Sequence, residues 1–131
     1  MTSYTLPSGV YAISDFCYLA YKGTDTFNKL AAKRQGIIKL NGETCPLPAL
    51  VLGTGGDGCF RDLMNPKNCW GVDGGNISLI PVEAMASQLE DKYGKPVFFY
   101  SSESPITVIR GKGYIHIIGS QYDIKIGGLW V

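Results

Sequence analysis

Three aspartates stand at turn-like positions, Asp15, Asp57 and Asp73, each beside a short apolar run. Asp57 and Asp73 are followed by Gly58 and Gly74, and a residue without a side chain lets a backbone approach a ligand closely. If the three turns met at one end of a sheet, Asp15, Asp57, Gly58, Asp73 and Gly74 would form an acidic pocket. Such a pocket would hold a divalent cation through oxygen ligands. It would serve acid/base chemistry if one carboxyl had a raised pKa, or bind a phosphate- or nucleotide-like compound through glycine backbone. The plainer alternative is that each carboxylate bonds the backbone of its own turn, as short acidic side chains commonly do.

The segment from Gly53 to Gly58, Gly-Thr-Gly-Gly-Asp-Gly, formally matches GxGxxG. Dinucleotide binding by that pattern needs a helix opening directly after it. The next residues are Cys59-Phe60-Arg61-Asp62 and then Asn65-Pro66, so a glycine-rich β-turn is expected instead. His116 is the sole histidine and shares a strand face with Tyr114 and Ile118. A catalytic histidine usually works beside a nucleophile. Cys17, Cys45, Cys59 and Cys69 are all candidates, and spacing selects none, which leaves a structural or surface histidine as the alternative. The cysteines show no CxxC pairing of the kind structural zinc sites use, so no metal is expected. No cofactor motif and no complete catalytic set emerges. Tyr4, Tyr11, Tyr18 and Tyr21 crowd the first part of the chain, and Trp130 comes shortly after Gly127-Gly128. Tyr11, Tyr18, Tyr21 and Trp130 are the candidate partner contacts, since such side chains anchor interfaces; core packing explains them equally simply.

These residues need strands and turns to position them. Gly9 to Ile13, Ile37 to Leu40, Ala49 to Leu52, Trp70 to Val72 and Ile77 to Ile80 read as strands, with Cys59 to Asp62 a shorter one. Further strands are expected near Val97 to Tyr100, Ile106 to Arg110, Tyr114 to Ile118 and Tyr122 to Ile126. Asn41-Gly42 is a two-residue hairpin signal, and Gly111-Lys112-Gly113 a second turn. Asp25 to Arg34 reads as a helix, capped by Thr24 or Asp25. Phe27, Leu30 and Ala31 would share its face, and Gly36 would make the left-handed exit. A second helix is expected from Pro81, with Val82, Met85, Ala86, Leu89 and Tyr93 on one face, Lys92 in the last turn and Gly94 ending it. The whole is an α+β fold: a mainly antiparallel sheet of about nine short strands, a meander or partly open barrel, with two helices.

Residues 1–131 fit one domain, with no linker, repeat or low-complexity tract. Twelve basic and eleven acidic residues give a net charge of +1, with no clustered basic face for nucleic acid. No apolar run approaches the ~18 residues of a membrane span. Met1 to Ser8 shows neither a basic nor an apolar leader region. The expectation is therefore a cytoplasmic protein with free thiols.

Ser8-Gly9-Val10-Tyr11-Ala12-Ile13-Ser14-Asp15-Phe16-Cys17-Tyr18 resembles the "SGxYxIGDPCY" opening of a family of small uncharacterised bacterial and phage proteins. The family's later "GDG" turn is similar to Gly56-Asp57-Gly58. Its "GVDSG" turn and "IP" are similar to Gly71-Val72-Asp73-Gly74-Gly75 and Ile80-Pro81, and its closing hairpin to Gly111 through Ile117 and Asp123 through Ile126. The resemblance spans nearly the whole chain in order. Ser14 and Phe16 stand where the family has Gly and Pro, so a chemical site on that turn, if the family has one, would be lost here. The family has no agreed reaction. The resemblance implies a phage or prophage source and, with it, a binding protein that modulates a host protein or defence system. The alternatives are a small-molecule binder or enzyme built on the acidic glycine turns, and a minor virion or structural component whose sheet edges pair into homo-oligomers.

Overall fold

The computed structural model describes residues 1–23, 25–40, 45–86 and 97–131. Eleven strands and one α-helix make up the regular structure among these described residues: β1 Thr2–Leu6, β2 Gly9–Ser14, α1 Thr26–Lys33, β3 Gly36–Ile38, β4 Ala49–Gly53, β5 Gly58–Arg61, β6 Cys69–Val72, β7 Asn76–Pro81, β8 Phe98–Ser102, β9 Ile106–Gly111, β10 Tyr114–Ile118 and β11 Ile124–Gly127. Two single 3₁₀ turns, Phe16–Tyr18 and Val82–Ala84, complete it. The strands form a four-stranded sheet, β1-β9-β10-β11, a five-stranded sheet, β3-β4-β7-β2-β8, and the hairpin β5-β6. Every pairing in them is antiparallel.

Alternation along the strands builds two cores. Tyr11 and Ile13 of β2, Leu50 and Leu52 of β4, and Ile77 and Leu79 of β7 face one way. They meet Val108, Ile115, Ile117, Ile124 and Ile126 of the four-stranded sheet, with Phe60 and Trp70 of the hairpin. Ala12, Ala49, Val51 and Ile80 face the other way and are covered by Leu30 of α1, Phe16, Leu19, Met85 and Val97. The five-stranded sheet is thus buried on both faces, which is why β7 has no exposed residue. The two sheets are joined by a bent ribbon. β1 pairs with β9 and β2 with β8, and at the corner Pro7 and Ser8 stand opposite Glu103, Ser104 and Pro105. One extra residue on one strand is the count of a β-bulge, which bends a ribbon and sharpens its twist.

Several expectations are corrected. Among the described residues there is one α-helix where two were expected, with Pro81 in β7 and Val82–Ala84 a 3₁₀ turn, and there are eleven strands rather than about nine. After Val82–Ala84 the chain is extended: Met85 bridges Tyr21, and the Ala86 N–H donates to the Ala20 carbonyl (2.9 Å). Burying Met85 between strand-like neighbours outweighs the helical period that the segment carries. Leu89, Lys92, Tyr93 and Gly94 lie outside the described residues, as do Thr24 and Asn41-Gly42. Ile38 opposes Ala49 where β3 pairs with β4. Helix α1 buries Thr26 and Leu30, leaves Phe27 and Ala31 exposed, and has no side-chain cap bond from Asp25. The positive φ after it falls on Arg34 (63°) as well as Gly36 (117°).

The thiol expectation also fails at two positions. Cys59 and Cys69 form a disulfide across the exposed face of β5-β6, with Cα atoms 6.4 Å apart. Cys59 opposes Gly71 and Cys69 opposes Arg61, so the cysteines are diagonal neighbours within bridging reach. Cys17 and Cys45 form no disulfide. Loop-closure entropy for so short a loop predicts that reduction lowers stability by about 2–3 kcal/mol. Urea unfolding with and without dithiothreitol should show that loss in the native chain, and no response to reductant in a Cys59→Ser/Cys69→Ser variant.

Candidate functional site

The strand β2 ends by driving Asp15 inside, where it is wholly buried. Its Oδ1 accepts from the Cys17 N–H (2.9 Å) and the Asn76 amide (3.0 Å). Its Oδ2 accepts from the N–H groups of Asp73 (2.9 Å) and Gly74 (2.5 Å). Asn76 in turn accepts from the Phe16 N–H (3.0 Å) and the Ser78 hydroxyl (2.8 Å). A carboxylate offers about four lone-pair sites, and all four are used within the chain. Gly74 must be glycine: a Cβ there would lie 2.6 Å from Cys17 Sγ and 2.9 Å from Asp15 Oδ1. Asp15 is therefore a structural tie between β2, the turn after β6 and the start of β7. Asp73 points its own carboxylate at the Tyr18 hydroxyl (2.5 Å).

Asp57 and Gly58 are exposed on the neighbouring turn, which reaches this assembly through the Thr54 N–H and Gly75 carbonyl (2.9 Å) and through the pairing of Gly58 with Val72. The structure thus unites Asp15 with Asp73 and Gly74, but as acceptor and donors. Among the described residues no three His, Cys, Asp or Glu side chains are grouped to hold a metal. The glycine-rich segment leads into β5, not into a helix. Its upper surface carries Trp130, whose backbone N–H bonds the Thr54 carbonyl (2.9 Å) and whose indole N–H bonds the Asp57 carbonyl (3.0 Å). Trp130 is seated on its own chain while remaining largely exposed. Beneath it, the buried Arg110 guanidinium donates to the carbonyls of Gly53 (3.0 Å) and Val131 (2.6 Å).

Of the candidate tyrosines, Tyr11 is fully buried and donates to the Pro7 carbonyl (2.8 Å), so it is no partner contact. Tyr21 donates to the Phe16 carbonyl (2.5 Å), and Tyr18 is tied to Asp73. Both are partly exposed.

A second place, marked by no sequence motif, has the shape of a site. It is a cleft of about 370 Å³ lined by Asp62, Met64, Asn65, Asn68, Tyr122 and Asp123. The loop after β5 forms one wall. It is stitched to β11 by the Leu63 N–H and Lys125 carbonyl (2.7 Å), and Leu63 packs over Gly127. The turn after β10 forms the other wall, with the Tyr122 ring held edge-on to Tyr100 at 5.6 Å. Asp62 is 1% exposed, and its Oδ1 accepts from the N–H groups of Met64 (3.0 Å) and Lys125 (3.1 Å). Asp123 Oδ2 meets His116 Nε2 at 3.1 Å, which gives the lone histidine a carboxylate partner rather than a thiol. The signal that points to this place in the sequence is Leu63-Met64, two large apolar residues inside a turn bounded by Asp62 and Asn65-Pro66.

Comparison with family models, with curated proteins and with solved structures finds no significant match for this chain. No helix among the described residues is long and apolar enough to cross a membrane.

Asp15→Ala should orphan four donors and cost roughly 3–5 kcal/mol, whereas Asp57→Ala should stay within about 0.5 kcal/mol of the parent chain. Chemical denaturation of both variants checks the contrast. Burial also pushes the Tyr11 phenol from 10.0 up to about 12, and raises Tyr21 and Tyr100 for the same reason. The unfolded chain loses these protons near pH 10, before the folded one does. The tyrosines' contribution to stability is thus complete below pH 10 and disappears as pH rises toward 12. Phenolate absorbance should rise for these three together with loss of near-UV dichroism; ionisation near pH 10 with the fold intact would contradict the assignment.

Proposed function

We propose that this chain is a non-enzymatic binding protein, of phage or prophage type, that modulates a host protein or defence component by direct contact. The observation that supports this reading is the ledge around the cleft: Leu63, Met64 and Tyr122 are 60%, 59% and 47% exposed. Three large side chains of this kind standing out together are what a partner would bury, and a few such anchors dominate most interfaces. The ledge is held rigid from below. Leu63 is bonded into β11, the hairpin carries a disulfide, and the Tyr122 ring packs edge-on against Tyr100. Preorganised side chains lose less conformational freedom on binding. The acidic turns favour this reading over a ligand pocket built on them, because the Asp15 carboxylate has its acceptor sites filled.

The test is a paired capture from bacterial lysate, then binding measurements on the purified pair. The protein retained by the native chain should bind a Leu63→Ser/Met64→Ser variant at least about tenfold more weakly, the loss of more than about 1.4 kcal/mol expected of anchors. Ile37→Thr, which alters an exposed apolar residue far from the ledge in the sheet order, should bind normally. Equal affinity for all three would sink the assignment of the ledge.

A further inference from the structure

The hairpin β5-β6 belongs to neither larger sheet, and its two faces differ. Its inner face carries Phe60, Trp70 and Val72 into the first core, and the Trp70 indole N–H donates to the Ile13 carbonyl (3.0 Å). These contacts anchor both strands independently of the Cys59–Cys69 bond, which lies on the outer, exposed face. A side chain at Gly71, directly opposite Cys59, would meet nothing within 4 Å, so a reagent has an open approach to the sulfurs. Arg61 is exposed on the same face, opposite Cys69, and its positive charge favours thiolates there. Exchange proceeds by thiolate attack on a disulfide sulfur, and exposed bonds are the ones that undergo it.

The bond also closes a ring around the loop of the ledge. Cys59 and Cys69 are ten residues apart, and Leu63 and Met64 lie between them. Residues Leu63 to Lys67 are all exposed, so the loop has little buried surface to order it. On one side the Leu63 N–H ties it to β11. From Met64 to Asn68 its ties are hydrogen bonds within the ring. The Asp62 N–H donates to the Asn68 carbonyl (3.1 Å), the Asn68 N–H to the Asn65 carbonyl (2.9 Å), the Met64 N–H to Asp62 Oδ1 (3.0 Å) and the Arg61 guanidinium to the Pro66 carbonyl (3.0 Å). Each such bond contributes modestly in water. Opening the ring therefore releases the loop while the inner face keeps the strands in place.

We propose that Cys59–Cys69 is a redox switch that sets the order of the ledge loop. In the disulfide form Met64 to Asn68 is fixed; in the dithiol form it is disordered, and Met64 no longer stands preorganised. The reductant is a dithiol. One of its thiolates attacks a protein sulfur, the S–S bond breaks, and a mixed disulfide forms. Its second thiol then displaces the protein, leaving two thiols on Cys59 and Cys69 and a disulfide on the reductant. Two electrons and two protons pass to the protein, and a small oxidised disulfide returns it. The consequence for a partner rests on the proposed binding function; the change in loop order does not.

Nitrogen-15 relaxation of the native chain, before and after dithiothreitol without denaturant, tests this. Alkylation and mass spectrometry should count two additional thiols after reduction. The amides of Met64, Lys67 and Asn68 should have order parameters near the rigid value of about 0.85 in the disulfide form and below about 0.6 in the dithiol form. Ile13 of β2 and Leu79 of β7 should stay rigid in both. Oxidised glutathione should restore the first pattern. A Cys59→Ser/Cys69→Ser variant should show the second with or without reductant; if it does not fold, the reduced native chain decides. A bond that resists reduction until the chain is denatured would overturn the switch. So would loop amides that keep their order after reduction, or a reduced chain that loses its whole fold. If the loop responds and a captured partner binds both forms alike, the switch stands and the contact surface lies elsewhere.

Discussion

One buried carboxylate organises the assembly. Asp15 sits where no water reaches it, and a charge in that position persists only if its lone pairs are filled. The donors come from three parts of the chain: the 3₁₀ turn directly after it, the turn of Asp73 and Gly74, and the head of β7. Satisfying Asp15 therefore fixes where β2, β6 and β7 end relative to one another. The effect extends outward. Gly75 holds Thr54, Thr54 holds Trp130, and Arg110 ties the Gly53 and Val131 carbonyls to the four-stranded sheet. A string of polar contacts thus closes the same end of the molecule that the apolar cores leave open.

Much of this is legible from residue types. Alternation in Gly9 to Ile13 and in Tyr114 to Ile118 marks strands because each has one face against a core. Asp15 and Gly74 stand out as special positions: the Asp15 carboxylate bonds the Cys17 N–H of its own turn and also the N–H groups of Asp73 and Gly74 from another. What the sequence does not display is convergence. The four donors to Asp15 include groups some sixty residues downstream, and the walls of the cleft come from equally distant loops. Met85 shows the opposite failure, where a strong local period is overruled by the core it fills in an extended conformation. β1 is hard to see because Thr2–Leu6 buries only Leu6, which leaves its pattern looking like a polar leader. The cysteine pair is hidden because antiparallel strands bring together residues that no short spacing relates.

Asp15 and Asp62 differ in how many donors the chain itself brings to them. Both are buried, and both carry a backbone-bonded oxygen. Asp15 has four donors and nothing left to offer, so it stiffens the scaffold. Asp62 has two donors, both on one oxygen, and lines the cleft together with Met64, Asn65, Asn68, Tyr122 and Asp123. Donor count, rather than residue type or depth, distinguishes the two.

The bent ribbon that joins the sheets bears on how the chain is made. Thr2 pairs with Arg110, so β1 leaves the ribosome long before its hydrogen-bonding partner β9 is made. β2 likewise waits for β7 and β8. Ring closures of that length are entropically unfavourable and slow to form. During synthesis β1 and β2 are unpaired edges, open to other chains. The short polar Thr2–Leu6 segment is well suited to that interval, since it presents little apolar surface until β9 arrives to cover it.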